Sequence, residues 1–289
     1  MKIYNTVSYF LSNYEPTTEF LDGYYSKFAP HFKEYFAYHC YRPEEKKKLA
    51  LIRYQELLPA IQENSDKMES RILKIVQKYE SLYPVTLDQD VHMIVGAFGS
   101  NAFTHKQIFP DITFCLEKLS PEDVTLDAII AHELGHALHN ARTDQLGMEW
   151  AKLDWMSPYT TLLQEGVATY HSMQVVDIPE SIYFTYDQQG EDWLAFAKAN
   201  EKELATALIE DLKNLDQSDL FREWFSINGG TRFGATRFAY YLGYRIVENL
   251  VDKLGELEAV TLWRRSDYKE MLRDELALIT KGEQNVPIL

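Results

Sequence analysis

The sequence predicts an α+β protein that is mostly α-helical and contains one small β-sheet. Long stretches in both halves of the chain repeat apolar residues at the three- and four-residue spacing of an amphipathic helix. Between these stretches, residues 91–119 contain short β-branched and aromatic runs that glycine and proline interrupt, which is typical of strands and turns. The sheet is therefore expected in the middle of the chain, with helices on either side of it.

Composition narrows the class of protein. The chain has 289 residues, of which 46% are hydrophobic, and this suits a globular protein of one or two domains with a sizeable core. The formal net charge is −15, so the chain lacks the excess of basic residues that is typical of nucleic-acid-binding proteins. Cys40 and Cys115 form no C-x-x-C pair, so neither indicates a zinc knuckle or a redox motif. We find no secretory signal and no run that approaches 18 apolar residues, so no membrane span and a cytoplasmic location are expected.

Residues 1–85 are predicted to form a helical region that packs on the rest of the chain. Two helical patterns stand out, at residues 42–61 and 65–83, and Ser65 or Asp66 would cap the second helix. The remaining residues, 86–289, are predicted to form the second domain, unless the whole chain is one compact unit.

The N-terminal region is unusually aromatic. The stretch "FLDGYYSKFAPHFKEYFAYHCY" favours a helical layer that buries its rings, and a substrate-facing aromatic wall is the alternative. His31, His39 and Cys40 lie in or beside this stretch, but their loose spacing favours packing or surface roles over a metal site.

The segment "SPEDVTLDAIIAHELGHALH" follows the predicted sheet and is itself predicted to be a helix. Its starting signals are Ser120, Pro121 and Asp123, with Thr125 as a later cap. Its apolar residues recur at helical spacing, namely Leu126, Ile129, Ile130, Leu134, Ala137 and Leu138.

Three further helices are predicted after residue 140. Residues 159–176 and 191–215 are each interpreted as one continuous helix. The segment 227–255 is predicted to be a glycine-rich loop followed by a helix.

Two histidines of the "HELGH" segment can share one metal ion. An α-helix turns once per about 3.6 residues, so His132 and His136 project from the same face. Glu133 lies about 100° around the helix from His132, where a base for a metal-activated water belongs. H-E-x-x-H on a helix is a signature of zinc metalloproteases. The alternative is a buried helix that carries two imidazoles.

A catalytic zinc ion usually takes a third protein ligand. His139 is about 10.5 Å from His132 along the helix axis, so we expect it to be a neighbour or a surface residue. The longer H-E-x-x-H-x-x-G-x-x-H pattern also fails, because His139 and Arg142 occupy its last two fixed positions.

Glu165 is the preferred third ligand. It follows His136 by enough residues for a loop and a return helix, and a carboxylate in an apolar helix needs a reason to be there. Gly166 and Ala168 would keep that helix thin, so that it could approach the "HELGH" helix. The rival ligands lie in a less apolar segment, and they are Asp144, Glu149 and Asp154.

"HELGH" followed by "EGVA" on a later helix resembles the gluzincin metallopeptidases. With "YYLGYRIV", the segment "EGVATYH" more narrowly resembles a family of predicted zinc-dependent proteases, and the resemblance covers roughly residues 90–250. It implies a zincin-like core, Zn²⁺ on His132, His136 and Glu165, and hydrolysis of a peptide or protein substrate with Glu133 as the general base.

The resemblance also implies a donor to the oxyanion of the reaction. Gluzincins commonly take it from a later helix, where Tyr240 and Tyr244 stand four residues apart; Arg237 and His171 are further candidates. The alternative is that these tyrosines pack a core helix. "VGAFGSNAF" is interpreted as a substrate-binding edge, although the acidic residue typical of gluzincin aminopeptidases is missing.

Two other functions compete with peptide hydrolysis. The first is a catalytically silent, zincin-like protein that binds metal and a partner, but an intact Glu133 argues against it. The second is a helical interaction protein that holds no metal.

Overall fold

The computed structural model describes residues 1–186 and 190–282. It confirms a mostly helical α+β fold with one small mixed sheet. The chain divides into two compact units, Met1–Ala137 and Leu138–Leu289. The predicted domain boundary after residue 85 falls inside the first of these units, whose sheet takes residues from both sides of it.

The first unit contains the sheet and the N-terminal helices. Its strands are β1 (Ile3–Asn5), β2 (Val91–Ile94), β3 (Ala102–Thr104) and β4 (Ile112–Cys115). Its helices are α1 (Val7–Asn13), α2 (Thr18–Lys27), α3 (Ala29–Glu34), α4 (Pro43–Leu82) and the first part of α5 (Asp123–Gln145). A π-helical turn at Tyr35–His39 follows α3.

The sheet has the strand order β1-β2-β4-β3. β1, β2 and β4 run parallel, and β3 pairs antiparallel with β4 at the edge. Every residue of β2 and β4 is buried, as expected for central strands that are covered on both faces. β1 was not predicted, because three residues are too short to show a period and their partner strand lies far along the chain.

The prediction of two separate helices between residues 42 and 83 is wrong. α4 is a single helix of 40 residues, Pro59 lies inside it, and Ser65 and Asp66 cap nothing. Its buried face continues past the proline, so packing outweighs the local breaking signal. Asn64 lies on this face and donates from Nδ2 to the Leu119 carbonyl, at 3.0 Å.

The aromatic stretch forms the predicted buried layer. Its rings pack edge to face on one another, as between Tyr25 and Phe32, and on Phe10 of α1, as between Phe10 and Tyr24. Tyr54 of α4 joins the same cluster and is fully buried. These rings contribute core area, whereas Tyr38 and Tyr41 at the end of the stretch are exposed.

The glycines of "VGAFGSNAF" serve the protein's own packing. A Cβ atom at Gly96 would lie 2.6 Å from the Tyr35 ring, and one at Gly99 would lie 2.2 Å from the His39 carbonyl oxygen. Both glycines lie in the loop between β2 and β3, which belongs to the predicted substrate-binding edge. Buried Glu117 and Tyr35 hold this loop by accepting its backbone N–H bonds.

The second unit is all helical in the residues described. Its helices after the end of α5 are α6 (Pro158–Val175), α7 (Glu180–Thr185), α8 (Glu191–Ala199), α9 (Glu201–Asn214), α10 (Gln217–Trp224), α11 (Phe238–Leu254), α12 (Glu256–Val260) and α13 (Tyr268–Lys281). Within residues 1–186 and 190–282, no helix has the length and apolarity that crossing a membrane requires.

The prediction of one continuous helix over residues 191–215 is wrong. The helix is interrupted at Asn200, which lies between the last residue of α8 and the first residue of α9. The Asn200 side chain donates to the Phe196 carbonyl at 2.8 Å, and asparagine competes with the helix in this way.

Candidate metal centre

Helix α5 is fixed against α4 by polar contacts near the histidines. Arg71 pairs with Asp127 at 2.7 Å, and the Tyr79 hydroxyl donates to the Ala131 carbonyl at 2.8 Å. The helix begins at Asp123, so Thr125 lies inside it and does not cap it. These contacts hold the residue directly before His132 in a defined place.

The apolar residues that predicted α5 are buried as expected. None of them exceeds 3% exposure, and they are Leu126, Ile129, Ile130, Leu134, Ala137 and Leu138. His132 and Glu133 are buried as well, whereas His136 is half-buried. The His132 and His136 rings stand perpendicular, with centroids 4.8 Å apart.

The structure brings together the three residues that the sequence analysis chose as ligands. His132, His136 and Glu165 each offer a ligand atom, and these atoms lie within 4.8 Å of one another. Two imidazoles and one carboxylate are a donor set that zinc takes in hydrolytic sites, where a further position stays open. The residues therefore fit the metal that the sequence implied.

The rival acidic ligands have other partners. Asp144 accepts a hydrogen bond from the Trp150 indole at 2.8 Å. Glu149 pairs with Lys152, and Asp154 pairs with Lys269. The Lys269 hydrogen bond is the main reason why the pKa of Asp154 is lowered.

Two histidines near the centre have structural surroundings. His139 is fully buried and stacks on Trp263 with ring centroids 3.8 Å apart, so of its two predicted roles, a neighbour of the site or a surface residue, the second is wrong. His171 is also fully buried, and its Nε2 lies 3.2 Å from a guanidinium nitrogen of Arg142. Arg142 in turn pairs with Glu256.

Gly166, next to Glu165, allows α6 and α11 to approach closely. A Cβ atom at Gly166 would lie 2.3 Å from the Gly243 carbonyl oxygen, and one at Gly243 would lie 2.5 Å from the Leu162 carbonyl oxygen. Gly166 therefore makes room for α11, and our prediction that it makes room for the "HELGH" helix is wrong. This contact sets Glu165 beside the helix that carries the tyrosines.

The tyrosines of α11 differ in their partners. The Tyr244 hydroxyl donates to Glu248 at 2.9 Å, and burial raises the pKa of Tyr244. Tyr240 is half-buried, and the Arg237 guanidinium lies 5.3 Å from its ring centroid. Arg237 has a φ of 65°, in the left-handed region, and its side chain also donates to the Phe184 carbonyl.

The negative charge of Glu133 affects the Cys115 thiol at the end of β4. Burial is the main reason why the pKa of the Cys115 thiol is well above its usual value, and the charges of Glu117 and, to a smaller extent, Glu133 raise it further. Both cysteines are free and buried.

A second group of potential ligands escaped the sequence analysis. His92, His105 and Asp111 also offer three ligand atoms within 4.8 Å of one another. They come from β2 and from the connection between β3 and β4, so no helical or short-range spacing could have revealed them.

No protein-family model matches this chain, and neither the curated proteins nor the solved structures contain a match.

Proposed function

We propose that this protein hydrolyses peptide bonds with the help of a zinc ion. The observation that carries the proposal is the convergence of His132, His136 and Glu165, which belong to one helix and to a segment distant from it in sequence. Chance convergence of two imidazoles and a carboxylate does not explain why Glu133 stands beside them. A purely structural zinc site needs no such base and normally closes all four positions.

The chain's own residues supply the proton transfers. Zinc, when bound, would polarise the scissile carbonyl and lower the pKa of a water molecule. Glu133 accepts the proton of the attacking water and delivers it to the leaving amine. Its burial keeps bulk water from competing for the carboxylate, which strengthens its electrostatic effect.

Tyr240 is the preferred donor to the oxyanion. It lies about 60° around α11 from Gly243, the residue in contact with α6, whereas Tyr244 lies about 100° away. The Arg237 guanidinium near the Tyr240 ring favours negative charge on the substrate at this place.

The proposal is tested on a mixed peptide library with the purified full chain. We expect cleavage that stops when a chelator removes the metal and returns when zinc is added back. Absence of cleavage by the zinc-loaded chain, across peptides of varied length and sequence, would support the silent metal-binding alternative. Cleavage that persists in the metal-free chain would refute the role of zinc.

Replacement of Tyr240 by Phe is expected to lower kcat by about 10²–10³-fold, because it removes a hydroxyl that donates to the oxyanion. Tyr244→Phe is the matched control, and we expect it to keep most of its turnover. Steady-state kinetics on one cleaved peptide give the comparison. Equal turnover in Tyr240→Phe and the parent chain would mean that Tyr240 only packs the core.

We propose a cytoplasmic setting for this activity. Two free, buried cysteines and the lack of any disulfide among the described residues agree with a reducing compartment.

A further inference from the structure

We infer that His92, His105 and Asp111 form a second metal site, which takes a first-row divalent cation such as Zn²⁺. All three residues belong to the first unit and share no residue with the "HELGH" centre. The inference does not depend on the proposed hydrolysis.

The positions of the ligand atoms suit one ion after a small contraction. His92 Nε2 lies 4.0 Å from Asp111 Oδ2. Two atoms bound to one zinc at about 2.0–2.1 Å in tetrahedral geometry lie roughly 3.4 Å apart. A shift of about half an ångström would therefore bring this pair to bonding positions, within what two side-chain rotations allow.

Each ligand is oriented by a partner outside the group. His92 Nδ1 lies 2.8 Å from His31 Nδ1, and in the tautomer in which His92 donates this hydrogen bond, its Nε2 keeps a lone pair for the ion. His105 Nε2 lies 2.8 Å from the Thr113 hydroxyl, which leaves His105 Nδ1 for the ion. Metal-binding histidines almost always use their second nitrogen in this manner.

The carboxylate is held in the same way. Asp111 Oδ1 accepts the backbone N–H of Asp90 at 3.0 Å, and Oδ2 is the oxygen turned towards His92. The His105 N–H donates to the Asp111 carbonyl at 2.8 Å, which fixes the two ends of the β3–β4 connection together. An ion bound to these residues would link the β3–β4 connection to β2.

Burial and exposure agree with cation binding. His92 is buried, whereas His105 and Asp111 are half-buried. The Asp111 side chain keeps 32% of its surface exposed, so an ion can reach the site and retain water as a further ligand.

Stacking alone is the competing explanation. His92 and His105 stack with centroids 5.3 Å apart, between the rings of Tyr4 and Phe103. Aromatic packing accounts for the two rings but not for the Asp111 carboxylate. The hydrogen bond from the Asp90 backbone N–H to Asp111 Oδ1 turns the other carboxylate oxygen towards the rings.

The decisive measurement is a zinc titration of the full chain with the first centre removed by His132→Ala and His136→Ala. Calorimetry should still find about one equivalent of zinc. In this background, Asp111→Asn or His105→Ala should abolish the binding, and Thr113→Val should weaken it about 10- to 100-fold. Thermal unfolding gives a second readout, because zinc should raise the Tm of the background chain but not that of its Asp111→Asn variant.

Matched controls remove the same groups outside the site. Asp88→Asn removes an exposed carboxylate near β2, and His39→Ala removes another imidazole that stacks on Phe103. Both should keep the zinc. If the background chain does not fold, the same comparison in the parent chain should show that Asp111→Asn loses one of two equivalents. The inference is wrong if the folded background chain binds no zinc, or if Asp111→Asn and His105→Ala bind it as well as their controls do.

Discussion

Glu133→Gln should lower peptide hydrolysis by at least about 10²-fold while zinc stays bound. Glutamine keeps the shape of the side chain but cannot accept the proton of the attacking water. His132, His136 and Glu165 are unchanged in this variant, so the metal keeps all three of its proposed ligands. A variant that loses activity but keeps its zinc would identify Glu133 as a base and not as a metal ligand.

The measurement pairs steady-state rates with the zinc content after dialysis. Glu122→Gln is the matched control, because Glu122 is exposed and directly precedes the same helix. It should leave both quantities unchanged. A Glu133→Gln chain that cleaves peptides at the parent rate would remove Glu133 from the mechanism, and one that loses zinc would make Glu133 a determinant of binding.

Glu165→Ala should lose zinc and activity together. It removes a proposed ligand oxygen, and since changes in the outer shell already cost about 10–100-fold in metal affinity, we expect a larger loss here. The fold should tolerate the change, because Glu165 is only half-buried and its replacement by alanine removes a charge from an apolar helix.

The comparison uses zinc retained after dialysis against a moderate chelator, with circular dichroism to verify folding. Glu122→Ala, which removes an exposed glutamate directly before α5, is the control and should behave as the parent chain does. If Glu165→Ala retains as much zinc as this control, the third ligand is another residue, and the acids to test next are Asp144, Glu149 and Asp154.

The sequence by itself determined the features that depend on local spacing. The burial of Leu126, Leu134 and their companions follows from a 3.6-residue period, as does the common face of His132 and His136. Glu165 could be selected because a carboxylate among apolar residues is costly unless it has a partner.

Tertiary structure decided what depends on distant partners. β1 exists because residues 3–5 pair with a strand almost ninety positions later. α4 continues through Pro59 because its buried face extends beyond the proline, and propensity is too weak to oppose that packing.

The same physical reason explains the errors and omissions at the two groups of potential metal ligands. Gly166 was expected to leave room for the "HELGH" helix, and it leaves room for α11 instead. A glycine in a helix indicates a close contact but does not indicate which element makes that contact. His92, His105 and Asp111 have no common period, and only the pairing of β2 with β4 brings the segments that carry them together. Contacts between residues far apart in the chain depend on the packing of whole helices and strands, and a local sequence pattern does not predict them.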